Sequence, residues 1–137
     1  MQNGNFSFLI LIVGIVQLIV MIKRSERVNS RQKGARGERE LSSKLKEYGY
    51  DCRRGQQYCG ADGSADVIGL DGIHIECKRV ERLNLEDAMA QSKRDARVGE
   101  IPTVMHRKNN CEWLVTMRLE DWIEMYKEAT SGQVFNS

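Results

Sequence analysis

The chain lacks several features that would assign a function from composition alone. Neither sign of charge dominates, because 21 basic and 19 acidic residues leave a formal charge of +2. No internal repeat or low-complexity tract is present. The cysteines include no C-x-x-C pair and only two histidines accompany them, which argues against a zinc site. We expect four reduced thiols in a cytoplasmic chain, at Cys52, Cys59, Cys77 and Cys111.

The N-terminal segment lacks the marks of a removable signal peptide. Residues 6–22 form an apolar run, but no basic region precedes it and no small-residue cleavage site follows it. The run has the minimum length for a membrane-spanning helix, and Lys23, Arg24 and Arg27 after it predict that the remainder lies in the cytoplasm. Two interpretations remain open. The run tethers the protein to the inner face of the membrane, or Met21 begins a soluble protein and the start codon is assigned too early.

Basic residues are unevenly placed although the net charge is small. One group lies within residues 23–39, Arg53 and Arg54 form a second, and Lys93, Arg94 and Arg97 form a third. Clusters of this kind on a nearly neutral protein indicate an anionic partner. The alternative is a set of solvated helix faces.

Residues 64–78 are the most informative stretch and predict two short strands joined by a tight turn. A three-residue turn over 70–72, with Gly72 left-handed, pairs Val67 with Ile75 and places Asp66 opposite Glu76. A two-residue turn would instead put Asp66 on the other face of the sheet. We predict the three-residue turn, because hydrophobic pairing and the alignment of the two acids favour the same register.

The facing acids indicate a metal site. Two carboxylates repel each other unless a cation lies between them, and their oxygens suit a hard ion such as Mg²⁺ or Mn²⁺. Lys78 points the same way as Glu76, and can orient a metal-bound water or stabilise charge on a phosphate. The alternative for an isolated Glu-x-Lys is an ordinary solvated ion pair.

The remaining periodicity predicts an α/β fold with the order α-β-β-β-α-β-β-α and a mixed sheet flanked by helices. The divisions are an apolar N-terminal helix at 1–22, a linker at 23–30, a folded domain at 31–130 and a tail at 131–137. We predict helices over 31–48, 85–97 and 120–129 and strands over 50–53, 102–107 and 112–117. The core-facing residues expected on the first and last helices are Leu41, Leu45, Tyr48, Trp122, Ile123 and Tyr126.

Four motifs carry a family resemblance: Gly34-Ala35-Arg36-Gly37-Glu38-Arg39-Glu40-Leu41, Arg53-Arg54, Gly63-Ser64-Ala65-Asp66-Val67-Ile68 and Ile75-Glu76-Cys77-Lys78. Together they resemble the restriction-endonuclease-like PD-(D/E)XK nucleases, and within them the Holliday-junction resolvases of archaea and phages. The resemblance extends over about residues 32–117. One D…E-x-K occurs by chance, but the Glu-Arg-Glu-Leu helix before it and the basic helix after it make the combination specific.

The resemblance implies a restriction-endonuclease-like core and a metal site formed by Glu38, Asp66 and Glu76. It implies that Lys78 completes the catalytic set by assisting the attacking water. It also implies DNA contacts through Arg39, Arg53 or Arg54, Ser64 and Gln91, to which the basic face of the 85–97 helix adds Lys93 and Arg94. A homodimer is implied because two sites cut symmetrically placed strands.

The sequence therefore predicts a Mg²⁺-dependent, structure-selective DNA endonuclease of the junction-resolvase type. Two alternatives remain open: another nuclease of the same superfamily, acting on flaps, in repair or in restriction, and a membrane-tethered DNA-binding protein that does not cut.

Overall fold

The computed structural model describes residues 4–55 and 64–131. The predictions that concern Cys59, Gly63 and the tail from residue 132 onward lie outside these ranges. The chain separates into two units, Met1–Lys33 and Gly34–Ser137, and each is described by itself.

The first helix, α1, extends over Gly4–Glu47. The predicted helix start at Arg31 is wrong, because residues 23–30, expected as a polar linker, are helical. No proline or glycine lies between residues 15 and 33, so nothing in the sequence interrupts the backbone hydrogen bonds. The predicted end is confirmed: the helix stops before Gly49, whose φ of 94° is the left-handed conformation that closes helices.

The N-terminal unit contains the apolar part of α1. An 18-residue window of this helix has a mean hydropathy of 2.1, and none of that window is buried. The helix is therefore long and apolar enough to cross a membrane by length and composition alone, a test that signal sequences also satisfy.

The second unit contains a five-stranded mixed sheet with the strand order β1-β2-β3-β4-β5. Its strands are β1 (Arg53–Arg54), β2 (Val67–Ile68), β3 (Ile73–Arg79), β4 (Ile101–Arg107) and β5 (Leu114–Met117). Its other helices are α2 (Leu85–Asp95) and α3 (Leu119–Ser131). Among the strands of the described residues only the β3–β4 pair is parallel, with α2 in the crossover between them. The predicted α/β class and element order are confirmed, although the first strand begins three residues later than predicted.

The hairpin of β2 and β3 has the predicted register. Val67 pairs with Ile75, and the Ile73 N–H donates to the Leu70 carbonyl at 3.2 Å across the turn. Gly72 has a φ of 77°, as the three-residue turn requires. The register therefore places Asp66, one residue before β2, opposite Glu76.

The two faces of β3 are covered differently. Ile75 and Cys77 join Leu41 of α1 in the hydrophobic core. A Cβ atom added at Gly37 would lie 3.0 Å from the Cβ of Arg79, so the absence of a side chain lets α1 approach the strand. On the other face α2 buries its residues Ala88 and Ser92.

Several apolar residues do not face inward as predicted. Tyr48 is 69% exposed, Trp122 is 49% exposed and Tyr126 is 54% exposed, whereas Ile123 is half-buried. Trp122 and Tyr126 stack on each other with ring centroids 5.3 Å apart. The helical periodicity of α3 is genuine, but no residue of α3 is fully buried.

Candidate active site

The site is built around two facing carboxylates, Asp66 just before β2 and Glu76 on β3. Asp66 is held by main-chain contacts: its N–H donates to the Ile75 carbonyl at 2.9 Å, and its Oδ2 accepts from the Cys77 N–H at 2.9 Å. Glu76 lies in the middle of β3 and is only 2% exposed. The strand register therefore holds both carboxylates without depending on a flexible loop.

Lys78 is the cation nearest to this pair. Its Nζ donates to Glu76 Oε1 at 2.6 Å and to Gln91 Oε1, on α2, at 3.1 Å. The side chain of Lys78 is 28% exposed and that of Glu76 is 3% exposed, so the ion pair lies at the border between the core and solvent. Two partners thus fix the position of the ammonium group. The structure places Gln91, expected at the DNA, against the lysine.

Burial and the facing Glu76 raise the pKa of Asp66 to about 7, although the hydrogen bond from the Cys77 N–H opposes this rise. Two close carboxylates in a partly buried site cannot both ionise easily. A cation bound between the two carboxylates lowers the free-energy cost of ionising both. Burial and the neighbouring Asp66 also raise the pKa of the Cys77 thiol, so Cys77 is a neutral core residue.

Glu38 does not complete a three-carboxylate cluster. Its Oε2 accepts from Arg54 Nε, and within residues 4–55 and 64–131 no three potential metal ligands form a group around one point. The Glu38 side chain is only 13% exposed. The acid on the core-facing stripe of α1 is therefore paired with a cation, which is one of the ways a buried charge is accommodated.

The carboxylate pair nevertheless fits a hard divalent ion. In the described part of the chain, Asp66 Oδ1 and Glu76 Oε2 accept no hydrogen bond, so each carboxylate keeps one oxygen for a ligand. Mg²⁺ usually takes one or two protein carboxylates and keeps several waters. Asp66 and Glu76 are sufficient for such a site without Glu38.

The predicted DNA-contacting residues occupy two separate positions. Arg53, Arg54 and Ser64 line one cavity beside the hairpin, near the site. Arg39 on α1 and Lys93 and Arg94 on α2 are exposed, and Arg94 lies 3.2 Å from Asp95. These three residues, Arg39, Lys93 and Arg94, are thus at the surface and are not part of the carboxylate site.

Two features of this unit were missed from the sequence. Glu40 binds Arg79 at 3.3 Å and Arg107 at 2.7 Å, and so joins α1 to β3 and β4. His74 is 1% exposed although it shares a strand face with Glu76 and Lys78. The alternation of β3 predicts that His74 lies on that face, but its burial is decided by tertiary packing.

No family model and no curated protein matches this chain. One solved structure to which it is similar is Hjc, a Holliday junction resolvase from the archaeal hyperthermophile Archaeoglobus fulgidus. The two chains are 23% identical, the match covers 60% of this chain and 74% of that chain, and the TM-score is 0.49. The function proposed for this chain depends on its own contacts.

Proposed function

We propose that this protein is a Mg²⁺-dependent, structure-selective DNA endonuclease that acts on four-way junctions. The observation that carries the proposal is the alignment of Asp66 and Glu76 across two strands, with Lys78 hydrogen-bonded to Glu76. This arrangement combines two carboxylates that can hold a divalent ion with one oriented cation, a set that can catalyse hydrolysis of a phosphodiester. The fold likeness to a junction resolvase is compatible with the proposal but does not carry it.

The chemistry assigns a separate task to each residue. Asp66 and Glu76 would hold Mg²⁺, which when bound polarises phosphate oxygens and lowers the pKa of a bound water. Lys78 would donate a hydrogen bond to the attacking water or to the phosphate oxygen on which charge develops. Gln91 holds the Lys78 ammonium group in place. Mn²⁺ accepts the same oxygen ligands and is expected to substitute.

The exposed basic residues would bind the DNA backbone. Arg39, Lys93 and Arg94 carry charges at the surface, where contacts with phosphates supply affinity without sequence information. Selectivity for a branched substrate would therefore come from the shape of the DNA. Affinity is expected to fall steeply as salt increases.

The test is cleavage of a labelled synthetic four-way junction by the full chain, kept soluble in a non-ionic detergent, with Mg²⁺ or EDTA. Glu76→Gln should abolish cleavage, whereas Glu124→Gln, at an exposed position on α3, should cut like the wild type. Paired nicks near the crossover that require Mg²⁺ are the expected result. Cleavage of flaps or linear duplex alone would indicate another nuclease of the same superfamily. Binding without cleavage under Mg²⁺ or Mn²⁺ would favour the non-cutting DNA-binding protein.

We propose that the enzyme acts as a homodimer, because symmetric resolution of a junction requires two sites. The apolar residues left exposed on α3, Trp122 and Tyr126, are compatible with such an assembly. Sedimentation with a labelled junction should show two protein chains per DNA. One chain per junction at saturating protein would contradict this.

We also propose that residues 6–22 tether the enzyme to the inner face of the cell membrane. As a helix these residues extend about 26 Å, close to the thickness of a hydrocarbon core. Val16→Arg, in the middle of the run, should release the full chain from washed membranes, whereas Val28→Arg, beyond it, should not. A C-terminal tag should resist protease added outside the cell. A Val16→Arg chain that still sediments with membranes would overturn the tether.

A further inference from the structure

The part of α1 that follows the apolar run carries its positive charges on one side. The basic residues between positions 23 and 32 are Lys23, Arg24, Arg27 and Arg31. At about 100° of rotation per residue, these four fall within an arc of about 100° around the helix axis. The single acid of the segment, Glu26, lies outside that arc, and its other residues are uncharged. The four cations therefore form a basic stripe along one side of α1.

The basic stripe has no partner in the described part of the chain. All four side chains are exposed, and none of them forms an ion pair within residues 4–55 and 64–131. Topology in a membrane depends on how many cations follow an apolar run, and not on which side of the helix carries them. The one-sided arrangement therefore needs another explanation, and it indicates an anionic ligand that approaches α1 from that side.

The basic stripe begins directly where the apolar run ends. At 1.5 Å per residue, Lys23 and Arg27 lie about 1.5 and 7.5 Å beyond Ile22 along the helix axis. Long side chains of a helix point back toward its N-terminus, so Arg31 also extends toward the run. Each headgroup layer of a bilayer is about 5–7 Å thick. With residues 6–22 in the bilayer, the stripe would thus lie at the depth of the headgroups.

We propose that the basic stripe binds the anionic headgroups of phospholipids in the cytoplasmic leaflet. This inference rests on the proposed membrane tether, which brings the stripe to the lipid surface. Guanidinium groups offer paired planar donors to phosphodiester oxygens, and the ammonium group of Lys23 adds a point charge. Duplex DNA presents the same phosphodiester, but the position of the stripe next to the apolar run favours the lipid.

Spin-labelled lipids measure this selectivity with the full chain reconstituted in phosphatidylcholine vesicles. The probes are traces of spin-labelled phosphatidylglycerol, which is anionic, and of spin-labelled phosphatidylcholine, whose choline group balances the phosphate charge. The fraction of each label that the protein immobilises gives the relative affinity of that lipid. Phosphatidylglycerol should be preferred about fivefold by the wild type, which is the effect of one cation near an anionic headgroup. About 1 M salt should remove most of this preference.

Two double variants remove the same charge from different places. Arg24→Gln with Arg27→Gln should lower the preference to about twofold or less, because half of the stripe is lost. Lys33→Gln with Arg36→Gln should keep the wild-type preference, since these positions lie about 16.5 and 21 Å beyond Ile22 and outside the arc. All four replaced residues are exposed and glutamine is a good helix former, so α1 should remain intact.

Equal immobilisation of the two labels by the wild type would overturn the lipid site and leave the tether intact. Failure to immobilise either label would instead overturn the tether, and the lipid site with it. An equal loss of preference in the two double variants would attribute the effect to net charge and refute the stripe. None of these measurements depends on cleavage, so the nuclease proposal is tested separately.

Two further arms identify the source of the phosphate. Inorganic phosphate should displace phosphatidylglycerol no more than chloride does at the same ionic strength, and stronger displacement would assign the stripe to free phosphate. A labelled DNA duplex, titrated in detergent, should bind Arg24→Gln with Arg27→Gln as it binds the wild type. Weaker duplex binding with an unchanged lipid preference would assign the stripe to DNA and overturn the inference.

Discussion

Asp66 and Glu76 lie opposite each other across β2 and β3, and the Asp66 carboxylate accepts the N–H of Cys77, the residue after Glu76. The fold thus places two carboxylates together by strand register, although their proximity opposes ionisation. Unless a proton or a cation is bound to this pair, repulsion between the two carboxylates destabilises the fold.

Asp66→Asn should change how stability depends on pH. The pKa of Asp66 is about 7 in the folded chain, against roughly 3.9 when unfolded, so the folded state binds more protons between these values. Unfolding free energy should therefore fall as pH rises from about 4 to about 7 and then level off. In Asp66→Asn the unfolding free energy should not fall over this pH range. The variant should therefore be more stable than the wild type at pH 8.

Denaturant titrations at pH 5 and pH 8 in EDTA measure this effect. Asp71→Asn is the matched control, because Asp71 is exposed in the turn and asparagine suits the same turn position. Added Mg²⁺ should stabilise the wild type more at pH 8 than at pH 5, since it competes with the Asp66 proton. A wild type whose stability is flat across this range would refute the coupling.

Lys78→Ala should slow cleavage by about 10²–10³-fold, the effect typical of losing one electrostatic donor at the reacting centre. Gln91→Ala should slow it by a smaller factor, because Gln91 acts through its hydrogen bond to the Lys78 ammonium group, which it positions. Single-turnover rates at saturating enzyme separate these effects from binding. The pH–rate profile of Gln91→Ala should also differ from that of the wild type, which a purely structural role does not predict. Identical losses in the two variants would contradict the positioning role.

Gly37→Ala should destabilise the folded unit, whereas Gly34→Ala should not. A Cβ atom at Gly37 meets the Arg79 Cβ at 3.0 Å, and overpacking of this kind costs about 1–3 kcal/mol. At Gly34 the nearest atom is Glu38 Oε1 at 3.9 Å on the same helix, so alanine gains about 1 kcal/mol of helix propensity. Thermal or urea unfolding of the two variants provides the comparison. Equal stabilisation by both would mean that α1 is not held against β3 at Gly37.

The central hairpin was predictable because one sequence pattern satisfied two constraints. Pairing Val67 with Ile75 buried apolar side chains and also aligned Asp66 with Glu76, and Gly72 supplied the turn conformation. Local signals also mark the C-terminal end of α1, through Gly49, and the start of α2, through the N-cap Asn84, whereas α2 ends at Asp95 and not at Arg97 as predicted.

The features that could not be predicted from the sequence depend on which surfaces pack against each other. Tyr48, Trp122 and Tyr126 follow a helical period, but period alone does not identify a partner, and all three are exposed. His74 shows the opposite case, since it lies on the polar face of β3 and is nevertheless buried. The pairing of Glu38 with Arg54 likewise required a contact between residues sixteen positions apart.

The pairing of Glu38 with Arg54 makes it possible to distinguish the role of Arg54 from that of Arg53. Arg54→Ala would leave the Glu38 carboxylate, 13% exposed, without its cation, and an unpaired buried acceptor costs about 1–3 kcal/mol or more if charged. Glu38→Gln should remove most of this cost, because a neutral amide needs no counter-ion. Arg53→Ala should leave stability unchanged, since Arg53 is exposed and unpaired among the described residues.

A double-mutant cycle of Glu38→Gln and Arg54→Ala, measured by urea unfolding, gives the coupling energy directly. Cleavage by the same variants then identifies the arginine that serves the site. Because Arg54 contacts both Glu38 and the cavity, its loss should reduce cleavage even in the Glu38→Gln background, where stability is restored. Full recovery of cleavage in the double variant would instead assign Arg54 a purely structural role and leave Arg53 as the residue that contacts DNA.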